Sequence, residues 1–194
     1  MQEKKIFIIC IIFIVLSIGI YFSVNYLLNA DLKKQEQELE DTIKKYGYVE
    51  KESVSIAIAK FNTEVMANGI NFPANEDYLL IDESNNLYWY GLYDDIYCYI
   101  KPLNFTKNKD DDIAEITAIY YDKNTKNEEM VIKYVKSLLK ASNENLSVDD
   151  INYLINEAKK LSPTKNTSNN GKGIFVGYLE ESDHNEYQII RNYK

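Results

Sequence analysis

Across 194 residues the chain carries 22 basic and 30 acidic side chains, a formal net charge of −8, with 45% hydrophobic content. That balance excludes a wholly disordered chain, and so acidic a surface offers no basic patch for nucleic acid or anionic lipid. Two cysteines and one histidine exclude a Cys/His zinc site and leave few nucleophilic arrangements.

Residues 1–5 form a short head containing Lys4 and Lys5, and residues 6–28 an apolar run whose first nineteen residues, 6–24, carry no charge. Nineteen helical residues rise roughly 28 Å, close to the thickness of a hydrocarbon core, and Tyr21, Phe22 and Tyr26 fall where an aromatic belt would sit. A cleaved signal peptide has a shorter apolar region, of about 7–15 residues, so an uncleaved single-pass anchor contacting membrane lipid is expected. The lysines of the head place the N-terminus in the cytoplasm and the C-terminal part outside it. From Asp31 onward, 29 acidic residues face 20 basic ones.

Residues 29–49 read as a helical stalk, with Leu32, Leu39, Ile43 and Tyr46 near one face and a break at Tyr46-Gly47-Tyr48. Residues 50–194 read as an extracytoplasmic domain. A helix is predicted over residues 53–67, where Val54, Ile58, Phe61 and Val65 recur at helical spacing before Asn68-Gly69. Strands follow at 78–82, 87–90, 96–100 and 113–122, the third stopped by Pro102, with a polar loop over 104–112. Helices are predicted at 127–141 and 147–161. The second opens on Ser147-Val-Asp-Asp150, a capping-box pattern ahead of Ile151, Leu154, Ile155, Ala158 and Leu161. A Ser/Thr/Asn/Gly loop over 162–173 leads to two closing strands, 174–181 and 186–193. This order is α+β: an antiparallel meander packed against two or three helices, with a C-terminal hairpin.

Most motifs that suggest chemistry dissolve on inspection. His184 beside Asp183 falls in a turn without a held nucleophile, and Cys98 sits among Ile96 and Ile100 as an inert buried thiol. Asp110-Asp-Asp112 with Glu115 could ligate a hard cation, but Lys107 and Lys109 adjoin it and a solvated loop is expected. The segment from Asp122 begins like a calcium loop and fails at Lys126, Asn127 and Lys133. Gly171-Lys172-Gly173 lacks the spacing of a phosphate loop and reads as turn punctuation. No metal and no cofactor is expected.

One cluster stands out. Residues 88–99 hold Tyr88, Trp89, Tyr90, Tyr93, Tyr97 and Tyr99. Regular pairing of strands 87–90 and 96–100 would put Leu87, Trp89, Ile96, Cys98 and Ile100 on a core face, with Tyr88, Tyr90, Tyr97 and Tyr99 on the other. Those four tyrosines are the candidate binding surface, for a glycan or an envelope protein. Lysine outnumbers arginine 21 to 1 and tyrosine numbers 17. The bias runs through every segment as codon usage would make it, so tyrosine abundance alone carries no signal. The sequence is expected to encode a membrane-anchored extracytoplasmic binding module without evident chemistry. The alternatives are a cell-envelope hydrolase built on carboxylates that meet in space, or a regulator of a neighbouring membrane complex acting through Ser17, Gly19 and Ser23.

Overall fold

A computed structural model describes residues 30–162 and 166–193. The expected anchor at 6–28 lies outside the described residues, and among those described no helix is long and apolar enough to cross a membrane. The chain divides into two compact units, Met1–Lys44 and Lys45–Lys194. Residues 30–46 are helical (α1), and Lys34 and Glu38 are paired at 3.7 Å along it. Leu32 and Leu39, expected to share a face of the stalk, are both exposed.

The second unit is α+β. Helix α2 (Val54–Ala67) starts at Ser53, whose hydroxyl accepts the Ile56 N–H at 3.3 Å. Strands β1 (Leu79–Asp82), β2 (Leu87–Tyr93), β3 (Ile96–Pro102) and β4 (Ala114–Asp122) follow as an antiparallel run. Helices α3 (Glu128–Ser142) and α4 (Val148–Leu161) come next, then β5 (Ser168–Asn169), β6 (Ile174–Glu180) and β7 (His184–Arg191). The seven strands make one antiparallel sheet in the order β1-β2-β3-β4-β7-β6-β5. Strand β5 falls inside the stretch expected to be loop, because two residues leave no periodicity to read.

Helices α2, α3 and α4 bury their apolar faces against one side of this sheet. The core joins Phe61 and Val65, Tyr134 and Leu138, and Leu154 and Ala158 to Ile100, Ile119, Tyr187 and Val176. The capping box of α4 forms as its residues suggest, with the Ser147 hydroxyl accepting from Asp150 N at 3.1 Å and Asp150 accepting from Ser147 N at 2.8 Å. Two glycines let the start of the domain cross the loop before β6. A Cβ on Gly47 would lie 2.3 Å from the Gly171 carbonyl oxygen, and one on Gly173 would lie 2.4 Å from the Tyr48 carbonyl carbon. Both residues also take positive φ, 72° and 77°, so the second does more than mark a turn.

The tyrosine arrangement needs correction here. Asp94-Asp95 closes the β2–β3 hairpin with Tyr93 opposite Ile96, but the register then shifts between Gly91 and Tyr93. Beyond that bulge Tyr90 faces Cys98 and Tyr88 faces Ile100. A shift of one residue exchanges the two faces of a strand. Tyr88 and Tyr90 therefore enter the core, each at 0% exposure, and Trp89 joins Tyr97 and Tyr99 on the side away from the helices.

Candidate functional site

The face opposite the helices is aromatic across four adjacent strands. One row of cross-strand partners runs Leu80, Trp89, Tyr99, Ala118, Gln188, Gly177, and the next runs Gly91, Tyr97, Tyr120, Glu186, Leu179. The Trp89 ring leans over Tyr99, centroids 4.9 Å apart, and meets Tyr120 edge-on at 5.6 Å. Tyr97 also contacts Tyr120 edge-on at 6.2 Å, and His184 stacks on the other side of Tyr120 at 4.4 Å. The edge contacts hold these rings upright, while the stacked His184 covers one face of Tyr120.

Between the rows lies a shallow apolar groove of about 500 Å³, lined by Tyr78, Leu80, Trp89, Gly91, Tyr97 and Tyr120. Tyr78 and Leu80 are exposed and Tyr97 is 40% exposed, whereas Tyr99 beneath Trp89 is 8% exposed. Gly91 keeps the floor open: a Cβ there would meet only the Tyr78 Cβ, at 3.5 Å, and the backbone is outside the left-handed region. Of the four tyrosines singled out from the sequence, Tyr97 and Tyr99 belong to this face and Tyr88 and Tyr90 do not. Trp89, Tyr120 and Tyr78 were missed. Tyr120 sits on a different strand, and only the β3–β4 pairing brings it to Tyr97.

On the same face, beyond Tyr99 and Tyr120, the polar groups of β7 and the turn before it are mainly acceptors. Gln188 Nε2 donates to the Tyr99 hydroxyl at 3.1 Å and to Glu186 Oε1 at 2.7 Å. Asp183 Oδ1 pairs with His184 Nδ1 at 2.8 Å. Burial, with Asp183, Glu186 and Asp122 nearby, raises the Tyr120 hydroxyl above its ordinary pKa. Burial and then Glu186 do the same for Tyr99, so both hydroxyls stay protonated.

A polar cleft of about 630 Å³ lies elsewhere in the domain, with Glu50, Glu52, Glu64 and Glu144 among its lining residues. Glu52 is buried there and both of its oxygens face cations: Lys60 Nζ is 2.7 Å from Oε2 and Arg191 Nε 3.4 Å from Oε1. A carboxylate so neutralised is placed for structure rather than for proton transfer.

The remaining candidates separate in space. Cys98 lies on the helix side of the sheet and His184 on the other, so they cannot act together; burial pushes the Cys98 thiol up to about 12. Asp112 leaves the solvated loop expected for it and is fully buried. It accepts the Tyr88 hydroxyl at 2.5 Å and the Thr106 N–H at 2.7 Å, while Asp111 accepts from Asn108 at 2.6 Å. The Asp run thus does not converge, and among the described residues no group of acidic, histidine or cysteine side chains is arranged to hold a metal.

The fold and the groove define an α+β domain with a one-sided sheet. Comparison with known proteins finds no matching family model, no matching curated protein and no matching solved structure.

Proposed function

We propose that this chain is a membrane-anchored, extracytoplasmic binding module of the cell envelope whose contact surface is the helix-free face of the sheet. The observation that carries the reading is the apolar groove over Gly91, walled by exposed and half-exposed rings on a face that helices α2, α3 and α4 leave uncovered. Apolar patches rimmed by polar groups are interaction surfaces more often than accidents of packing. The anchor is proposed from the charge-free run at 6–24, with residues 50–194 outside the cytoplasm. The hydrolase alternative loses ground because the buried carboxylate of the polar cleft is engaged by Lys60 and Arg191.

The test uses the full chain. In intact, wall-stripped cells, added protease should degrade the domain. Detergent-solubilised protein should co-sediment with purified envelope polysaccharide, and Gly91→Val, which fills the groove floor, should abolish the retention. Protection from protease would overturn the orientation, and retention indifferent to Gly91→Val would overturn the surface.

A further inference from the structure

Helix α1 spans residues 30–46, a rise of about 26 Å, and most of its surface is charged. Five of its side chains are acidic and four are lysines. The Lys34–Glu38 pair along it is exposed on both sides, and such pairs contribute little. A polar helix of this length is held mainly by burying a stripe against a partner. One stripe is available. Leu32 and Leu39 stand seven residues apart and Ile43 four beyond, the d, d, a spacing of a coiled-coil seam. Leu32 is 55% and Leu39 47% exposed, and Ile43 is half-buried. Tyr46, the next d position, packs on Phe175 with ring centroids 5.2 Å apart, so the stripe ends at Ile43.

Resting on the membrane anchor of the reading above, we infer that this stripe pairs with the same stripe of a second copy, as a short parallel coiled coil standing on the membrane. The apolar run ends at residue 28, two positions before α1 begins. Two copies held by one bilayer therefore send their stalks out in the same direction and at the same height. A pair of this length buries less than the roughly 1,200 Å² of a standard interface. Confinement to one bilayer offsets that shortfall, because it removes much of the orientational cost and raises the effective concentration. Lys33, Gln35, Glu40 and Thr42 flank the stripe, so no run of like charge lines the contact. Glu36 lies between the leucines at an a position and would meet its counterpart there. A single polar core position of this kind weakens a pair while fixing its register. The membrane surface is the poorer occupant, since surface helices carry a basic polar face and here acids outnumber lysines.

Disulfide scanning of the full chain in fractionated cells tests this, using single cysteines in a Cys10→Ser background where Cys98 is buried. With copper–phenanthroline as oxidant, Leu32→Cys, Glu36→Cys, Leu39→Cys and Ile43→Cys should each form same-residue cross-links. Lys34→Cys, Glu38→Cys and Asp41→Cys, on the outer face, should cross-link at least about fivefold less. Same-residue links at both 32 and 43 require a parallel pair. With Ile43→Cys as reporter, Leu39→Glu should abolish the link and Glu36→Leu should raise it several-fold, whereas a Glu36 outside the contact would leave it unchanged. Equal cross-linking around the helix, a maximum on the outer face, or insensitivity to both substitutions overturns the inference. Chain recovered with the membranes but without cross-links at 32, 36, 39 and 43 would sink the pairing and leave the anchor standing. Those cross-links in chain recovered from the soluble fraction would support the pairing and sink the anchor, and their absence there would sink both.

Discussion

Arg191 shows what a single residue type is asked to do in this chain. It is the one arginine among 22 basic residues, and it is buried at the end of β7. Its guanidinium donates to the Thr117 hydroxyl at 2.7 Å and the Ser142 hydroxyl at 2.9 Å, and Nε lies 3.4 Å from Glu52. A planar fork reaches two hydroxyl acceptors, on β4 and α3, while setting its charge beside Glu52 ahead of α2; a lysine ammonium is a point charge and cannot. Arg191→Met should cost about 3–5 kcal/mol in urea unfolding, since it strands a buried carboxylate with Lys60 alone. Adding Glu52→Gln should recover part of that loss, and strict additivity of the two changes would show that the pair is not coupled. The sequence held a clue in this lone arginine within a lysine-rich chain, but nothing near it in sequence names Glu52, 139 positions away, as the partner.

At the scale of elements, legibility follows locality. Helix α4 was readable because its cap, its period and its stop are all contained in a short window, and Asp150 then acquires a second partner from afar, Lys172 Nζ at 2.7 Å. Lys172 first, then the Ser147 hydroxyl and N–H, hold the Asp150 carboxyl well below its ordinary value near 3.8. A depressed folded pKa contributes stability that is fully present above 3.8 and is lost as pH falls through the folded value. Asp150→Asn should therefore flatten the acid limb of the stability profile, measured by melting from neutral pH downward, and an unchanged limb would refute the assignment. Ser147→Ala should cost about 1 kcal/mol at neutral pH through loss of the cap. The β2–β3 hairpin was not readable in the same way. Its tight turn at Asp94-Asp95 implies one register, and the bulge at Gly91–Tyr93 imposes another. Nothing in Gly91-Leu92-Tyr93 announces the shift, because the gain lies in the core, where Tyr88 reaches Asp112 across 24 positions of sequence.

For the molecule as a whole, that one-residue shift decides which aromatics hold the fold together and which face outward. Tyr88 and Tyr90 pack beneath the helices with Phe61 and Tyr134 in the same core, and the Tyr88 hydroxyl satisfies a buried carboxylate. Tyr97 stands on the open face with part of its ring in solvent, and Trp89 lies between the two cases because it shields Tyr99. The consequence is a graded set of stabilities. Tyr88→Ser should lose about 3–5 kcal/mol, through the cavity left by the ring and the stranded Asp112. For a domain of this size that lowers the melting temperature on the order of 10 °C or more. Tyr97→Ser should stay within about 0.5 kcal/mol of the parent while weakening retention on envelope polysaccharide. Trp89→Ala should fall between them in stability and weaken retention as well, since it removes a groove wall and uncovers Tyr99. Regular pairing without the bulge orders the same variants differently, with Trp89→Ala the most damaging and Tyr88→Ser harmless. Melting the three variants side by side thus measures the register directly, and a Tyr88→Ser protein as stable as Tyr97→Ser would move the binding face back to the four tyrosines that regular pairing brings together.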